Sequence, residues 1–419
     1  MSQAAFSRPP LADSLSVVLP TREETLLLRA CLFSSDSARQ AWKEWKSRAT
    51  EVEDGLVGNN GAVKNLRPLV FDALRCHGME LDKESWTFLR SAYLKEELRS
   101  KIFRRICRDI LLLLAKEGIP TIVLKGTALA ETVYKNPVLR HSHDIEILIK
   151  DQDISRAATL LRALDFKGVE PKSRPGISHF TLEHKSALPL VLHSRLFQIP
   201  YHNTSLAEMW SRRQDCHIAD VRTHILAPCD NLLHVCGHAF YSRSRQSLRW
   251  VSDAWLVIDR HRDLDWDLLL DCARQSRLVL PLSVTLSYLA EELDAAIPAT
   301  FFNRLFAAAS KSTAIEREFA LFGARSASAG SFRNLIRKAR GWRGRASVLK
   351  WMLCPSPDYL FWVQQIRRSW LLPFHYVYRP ARYAAQRTWL TLAESTRGIR
   401  FRKDRLFARV NNCIRSLSG

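Results

Sequence analysis

A switch of hydrophobic period near residue 120 constrains the fold more than any other feature of this chain. Ahead of it, Ile102, Phe103, Ile106, Cys107, Ile110, Leu111 and Leu114 recur at the spacing of a helix that buries one face. Gly118 and Pro120 supply its stop signal. Thr121 to Leu124 is then a short β-branched apolar run, Lys125-Gly126 a tight turn, and Leu129, Ala130, Val133 and Tyr134 return to helical spacing. Asn136-Pro137 breaks that helix, Asp144 to Ile149 predicts a second strand, and Ile154, Ala157, Ala158, Leu160 and Leu161 predict another helix. Beyond a polar stretch with Pro and Gly at 171–176, strands are expected at His179 to His184 and Leu188 to Leu196. This mixture of periods implies an α+β chain: a small mixed β-sheet core with helices, flanked by N-terminal and C-terminal helical regions.

The pattern divides the 419 residues into a helical region at 1–118, an α/β core at 119–200, a helical domain at 201–323, a linker at 324–345 and a basic, aromatic-rich tail at 346–419. A Gly-Asn-rich break at 55–61 interrupts the first of these. In the helical domain Leu232, Leu233, Cys236 and Ala239 share one face, and Trp250, Ala254, Val257 and Ile258 another. The sequence ARSASAG opens the linker at 324–330. The net charge of +21 is concentrated at the end: from Arg325 onward there are 20 basic and 3 acidic residues, so that stretch carries +17 and the preceding 324 residues only +4. Arginines alternating with Trp351, Tyr359, Trp362, Trp370, Phe374, Tyr383 and Trp389 suit three partners: an anionic membrane surface, a nucleic acid, or the protein's own body. No window holds the ~18 uncharged apolar residues of a transmembrane helix. Nine scattered cysteines without a CxxC pair match neither a disulfide framework nor a zinc ribbon. With an N-terminus that lacks a signal-peptide pattern, they imply a cytoplasmic protein, peripheral on the inner face of the membrane if the tail meets lipid.

The segment LKGTALAETVYKNPVLRHSHDIEILIK, residues 124–150, holds most of the chemistry. Alternation along its strand puts Asp144 and Glu146 on one face, about 7 Å apart at the backbone, and Ile145, Ile147 and Ile149 on the other. Two carboxylates so placed form either a solvated face or a site for Mg²⁺, a hard cation that takes oxygen ligands and usually brings a phosphate with it. A glycine between strand end and helix start, as at Lys125-Gly126-Thr127, lets backbone N–H groups approach a phosphate, and Lys125 and Arg140 add positive charge. Arg140 can equally pair with an acidic side chain. His141 and His143 flank the acidic strand as polar loop residues. In HVCGH, His234 and His238 at i and i+4 share a helix face as in some zinc sites, but among leucines they and Cys236 suggest helix packing rather than a zinc site.

The order LKG, a small-residue helix ending in Tyr, then Pro, Arg and an acidic-x-acidic strand resembles the nucleotidyltransferases of the DNA polymerase β superfamily, in particular an uncharacterised bacterial group whose first motif is Lys-Gly. LVLHSRL at 190–196, LAPCDNLLHVCGHAF at 226–240, LRWVSDAWLVI at 248–258 and DLDWDLLLDCARQ at 263–275 extend the resemblance over residues 25–300. It implies a Mg²⁺-dependent enzyme that moves a nucleoside monophosphate from an NTP to a hydroxyl or phosphate acceptor: a small molecule, a protein or an RNA. On that pattern Asp144 and Glu146 hold the metal, Lys125, Gly126 and Thr127 cradle the nucleotide phosphates, and Arg140 supports the transition-state charge. His193 stands either near the acceptor or as a structural support, and Asp253 faces the cleft. The chain departs from the pattern twice. The acidic strand reads Asp144-x-Glu146 where the family usually has Asp-x-Asp, and the third carboxylate is expected near Val191, which cannot ligate metal, leaving Glu183 to substitute from the adjacent strand or His193 to act near the acceptor. The alternative function is an inactive copy of the fold that binds a membrane or nucleic acid through its tail.

Overall fold

The computed structural model describes residues 11–48, 56, 61–168, 178–202, 204–241, 248–327, 332–364, 366 and 369–378. The polar stretch at 171–176 and the tail beyond residue 378, with Tyr383, Trp389 and Cys413, lie outside these. The longer N-terminal helices among the described residues are α1 (Arg22–Leu32), α2 (Ser35–Arg48), α3 (Arg67–His77) and α4 (Lys83–Lys116). Their ends are chemically marked. Thr21 and Glu24 form a reciprocal capping box on α1, Asp82 caps α4 through the Ser85 N–H at 2.7 Å, and Gly78 closes α3 with a left-handed φ of 61°.

Among the described residues seven strands follow: β1 (Ile122–Val123), β2 (Ile145–Leu148), β3 (Phe166–Lys167), β4 (His179–His184), β5 (Pro189–His193), β6 (Gln214–Ile218) and β7 (Val221–Ile225). They form one mixed sheet in the order β3-β4-β5-β2-β1-β7-β6, with β2 parallel to β5 and antiparallel to β1, and β1 parallel to β7. The strands expected from the sequence are present, but β6 and β7 fall where only helix was expected, so the sheet runs on to residue 225. Their hairpin turns through Ala219 and Asp220, both at positive φ (51° and 65°), without the Asn-Gly or Asp-Gly signal of such turns. Tertiary contacts supply what the turn lacks. Glu131 accepts from the Ala219 N–H at 2.9 Å, and Arg104 of α4 donates to Asp220 at 2.7 Å.

The sheet separates two cores. Ile145, Ile147, Ile149, Leu190 and Leu192 project to one face, where they meet Ile106, Cys107, Ile110, Leu111 and Leu114 of α4 and Ala157 of α6 (Ile154–Leu160). Leu148, Ile122 and Leu124 project to the other, which belongs to the larger helical core. Helix α5 (Lys125–Thr132) lies between β1 and β2 in the chain, and α7 (Pro228–Tyr241), α8 (Arg249–Arg260), α9 (Trp266–Gln275), α10 (Val279–Leu293), α11 (Ala299–Ser310) and α12 (Ala314–Ala327) build the helical body. The N-terminal helices share this core: Thr25 of α1 and Tyr288 of α10 are hydrogen-bonded at 2.9 Å in the interior.

Part of the expected linker is instead packed helix. Ala324 is fully buried in α12, where a Cβ on the neighbouring Gly323 would stand 2.7 Å from the Tyr241 ring. The small residues there serve a close helix contact. Beyond it α13 (Phe332–Lys338), α14 (Gly341–Leu353) and α15 (Pro357–Gln364) insert Leu335, Val348, Trp351 and Tyr359 into the same large core. The eight described cysteines are free thiols. Among the described residues no helix is long and apolar enough to cross a membrane.

Candidate active site

Asp144 immediately precedes β2 and Glu146 lies within it, so the pleat sends both toward the α7 side of the sheet. Leu124 sits alongside, its N–H donating to the Glu146 carbonyl at 2.9 Å, and this fixes the β1–α5 turn beside the acidic strand. Lys125 opens α5 with φ 42°, a left-handed conformation uncommon for a residue with a Cβ. Its Nζ donates to Glu146 Oε1 at 2.6 Å, and both side chains are nearly buried. Burial alone would raise the Glu146 pKa. The Lys125 ammonium and, after it, His193 outweigh that and hold the carboxyl well below its usual range. Asp144 lacks so close a cation. Burial, then the charge of Glu146, push it up to about 6 against the opposing pull of Lys125, Arg249 and Arg140.

Arg140 is bound on almost every side. It makes a bidentate ion pair with Asp253 of α8 at 2.7 and 3.1 Å, and its Nη1 donates to the His141 carbonyl and to Ser142 Oγ. The Tyr134 hydroxyl donates to the same Asp253 at 2.8 Å. Asp253 thus reaches the cleft and holds Arg140, the alternative partner the sequence left open for that arginine. Gly126 is required by this arrangement: a Cβ there would stand 2.5 Å from both Arg140 Nη1 and Ser142 Oγ. Thr127 follows, half-buried in the first turn of α5. Arg249, one turn ahead of Asp253 on α8, donates to the His141 carbonyl at 2.7 Å. Burial, then repulsion from Arg140, lower its pKa to about 10, so it stays charged at neutral pH. His141 sits in a loop, bonded to Glu96 of α4 at 2.6 Å and 3.1 Å from His143.

Four imidazoles line the same side of the sheet. His193 Nε2 lies 3.3 Å from Glu146 Oε1, too far out of line for a hydrogen bond, and among the described residues neither of its ring nitrogens makes an aligned one. His179 packs edge-on against it with ring centroids 4.2 Å apart. His234 and His238 come down from α7, and both feel Lys125 and Glu146 electrostatically. Burial is the first cause, and Lys125 a further one, of pKa values below the ordinary imidazole value in all four. They are therefore neutral at pH 7. Helix packing accounts for Cys236, which is fully buried in the large core, but His234 and His238 also lie near enough to Glu146 to feel its charge. The i, i+4 spacing of that pair and of Arg249 with Asp253 was the available signal, and it does not say what the shared face meets.

The donor set can be tested against the expected metal. Among the described residues no three His, Cys, Asp or Glu side chains gather in a geometry that could hold a metal ion. Val191 is in register with Glu146 on the adjacent parallel strand, the place where a third carboxylate was expected. Glu183 is exposed on β4, two strands from β2 and so about 10 Å away, and does not substitute. Two hard oxygen donors on one strand face remain, already matched to a cation by Lys125 at 2.6 Å. That set fits Mg²⁺, which takes one or two carboxylates and completes its shell with water and phosphate; it does not fit a closed zinc site. The cations Lys125, Arg140 and Arg249 stand against the carboxylates of Glu146, Asp253 and Asp144, so the charges of the site are closely matched.

The sheet is mixed, with paired carboxylates at one strand, a lysine-glycine turn beside them and a helical body packed against it. The chain belongs to the family described as uncharacterised nucleotidyltransferase, whose model matches residues 61–294. Among solved structures it is similar to an antigenic nucleotidyltransferase-like protein from Paracoccidioides brasiliensis, at 17% identity over 48% of this chain and 96% of that one; the TM-score of 0.31 is too low to support an argument. No curated protein matches the chain.

Proposed function

We propose that the protein is a Mg²⁺-dependent nucleotidyltransferase that moves a nucleoside monophosphate from an NTP to a hydroxyl or phosphate acceptor and releases pyrophosphate. The observation that carries this reading is the Asp144–Glu146 pair set among Lys125, Arg140 and Arg249. An acceptor oxygen attacks the α-phosphorus, the bond from that phosphorus to the bridging oxygen breaks, and the acceptor's proton passes to a base or to water. Asp144 and Glu146 would hold Mg²⁺, which neutralises triphosphate charge and aligns the attacking oxygen. Lys125 leaves Glu146 and turns its ammonium to the phosphates as the nucleotide enters. Gly126 and Thr127 present the start of α5 to those phosphates. Arg140, held rigid by Asp253, acts with Arg249 as fixed positive charge at the site. His193 packs beside Glu146 and positions it.

Val191 in the third-carboxylate position favours a second reading, a protein that binds nucleotide yet transfers it slowly or not at all. Isothermal titration with each NTP and Mg²⁺, beside the Asp144→Ala, Glu146→Ala double variant, tests the site. Metal-dependent binding lost in the folded double variant supports it, and absence of binding in the wild type sinks both readings. Pyrophosphate release with candidate acceptors then separates an active enzyme from a binding protein.

A further inference from the structure

The C-terminal helices bury one apolar stripe and display a second. On α14, Gly344, Val348 and Trp351 face the core, while Trp342 (75% exposed), Leu349 (40%) and Leu353 (41%) stand on a common opposite face, separated by two turns and then one. The same inversion appears over 370–377, where Leu371 and His375 are buried and Trp370, Phe374 and Val377 are exposed at i, i+4 and i+7. Between residues 332 and 364 seven cations, Arg333, Arg337, Lys338, Arg340, Arg343, Arg345 and Lys350, are all exposed, against the single acidic residue Asp358. The Arg343 guanidinium lies 5.5 Å from the Trp342 ring. A folded chain does not ordinarily leave two apolar helix stripes in water beside so much positive charge.

We propose that these exposed stripes dock on an anionic phospholipid bilayer. Trp342, Leu349 and Leu353, together with Trp370, Phe374 and Val377, enter the boundary between headgroups and acyl chains, and the surrounding cations meet lipid phosphates. Charge complementarity requires an anionic partner, and the aliphatic residues select among anionic partners. Leu349, Leu353 and Val377 neither stack on a base nor donate a hydrogen bond, so a nucleic acid gains nothing from them, whereas an acyl layer does. The helices lie on the bilayer, since none among the described residues is long and apolar enough to cross it. The inference stands independently of the nucleotidyl-transfer reading.

The test is flotation of the full-length protein with vesicles of phosphatidylcholine alone and of phosphatidylcholine mixed with phosphatidylglycerol. Binding is expected only to the mixed vesicles. Leu349→Asp with Leu353→Asp should weaken it about 10-fold or more by removing inserted apolar area. Arg343→Glu and Arg345→Glu should each weaken it about 5-fold or more. All four positions are exposed, so an unchanged circular dichroism melt confirms that the variants are folded, and Trp342→Ser serves in place of any that is not. The proposal is overturned by absence of flotation with anionic vesicles, or by binding that the aspartate pair leaves intact. It is likewise overturned if the pair instead abolishes binding of single-stranded nucleic acid, or of a second copy of the chain, with no vesicle binding in the wild type.

Discussion

Replacing Lys125 with Met tests whether the buried Lys125–Glu146 contact organises the site. The contact is 2.6 Å long, and the two side chains are only 14% and 10% exposed. At that distance the gross attraction is about 6 kcal/mol at an effective dielectric of ~20. Desolvation of both ions takes back much of it, so the intact pair is worth far less. Removing only the lysine is different, because Glu146 remains in a dry pocket without its counter-ion, at a cost of about 3–5 kcal/mol. The residual exposure and the neighbouring His193 argue for the lower end, about 3 kcal/mol. Urea unfolding at neutral pH should show that loss in Lys125→Met and a smaller one in Glu146→Gln. The double variant should recover most of it, giving a coupling of about 2 kcal/mol. In Lys125→Met the penalty should shrink as pH falls and Glu146 takes up a proton. Additive single effects, or a Lys125→Met cost below ~1 kcal/mol, would refute the reasoning.

Three further outcomes are expected. Gly126→Ala should destabilise by about 1–3 kcal/mol because its Cβ collides with Arg140 and Ser142, although helix propensity alone forecasts a gain of ~1 kcal/mol, so the sign measured in urea unfolding decides between them. Asp253→Asn should cost about 3–5 kcal/mol by leaving the Arg140 guanidinium buried without its carboxylate, and adding Arg140→Leu should recover more than half; equal losses in the single and double variants would contradict this. Burial in a ring of aromatics lowers the His202 pKa from 6.5 to about 4. The unfolded chain therefore binds a proton that the folded chain refuses, and stability present above pH 6.5 falls as pH drops toward 4, by about 3 kcal/mol from this residue. His202→Phe should flatten that part of the pH–stability curve, and curves that stay parallel would count against it.

Much of the fold was legible because its signals are local. The period of Ile106 to Leu114 marks the half of α4 that packs on the sheet, whereas Ile102, read onto the same face, is 48% exposed; the alternation of 144–149 decides which side chains face α4 and which face the cleft. Those patterns depend only on helix and strand geometry, and they placed Asp144 and Glu146 together. The hairpin of β6 and β7 escaped because the first residue of its turn is Ala219, which has no intrinsic preference for positive φ, and the turn is held by Glu131 and Arg104 from elsewhere in the chain. Residues 324–327 suggested a linker because small residues mark both flexible segments and tight helix contacts. Only a neighbour such as Tyr241 separates the two cases.

The sequence by itself therefore determined most of the element types up to β5, the acidic face of β2, the lysine-glycine turn, and the concentration of positive charge at the C-terminal end. Tertiary structure decided the partners. It set Lys125 against Glu146, tied Arg140 to Asp253, brought His234 and His238 within the electrostatic reach of Glu146, and left Val191 in register with Glu146. The physical reason is range. A residue's period and face follow from the few residues beside it, but the charge that neutralises a buried carboxylate can come from anywhere the chain folds back, and its identity is set by strand order and helix packing across tens to more than a hundred positions.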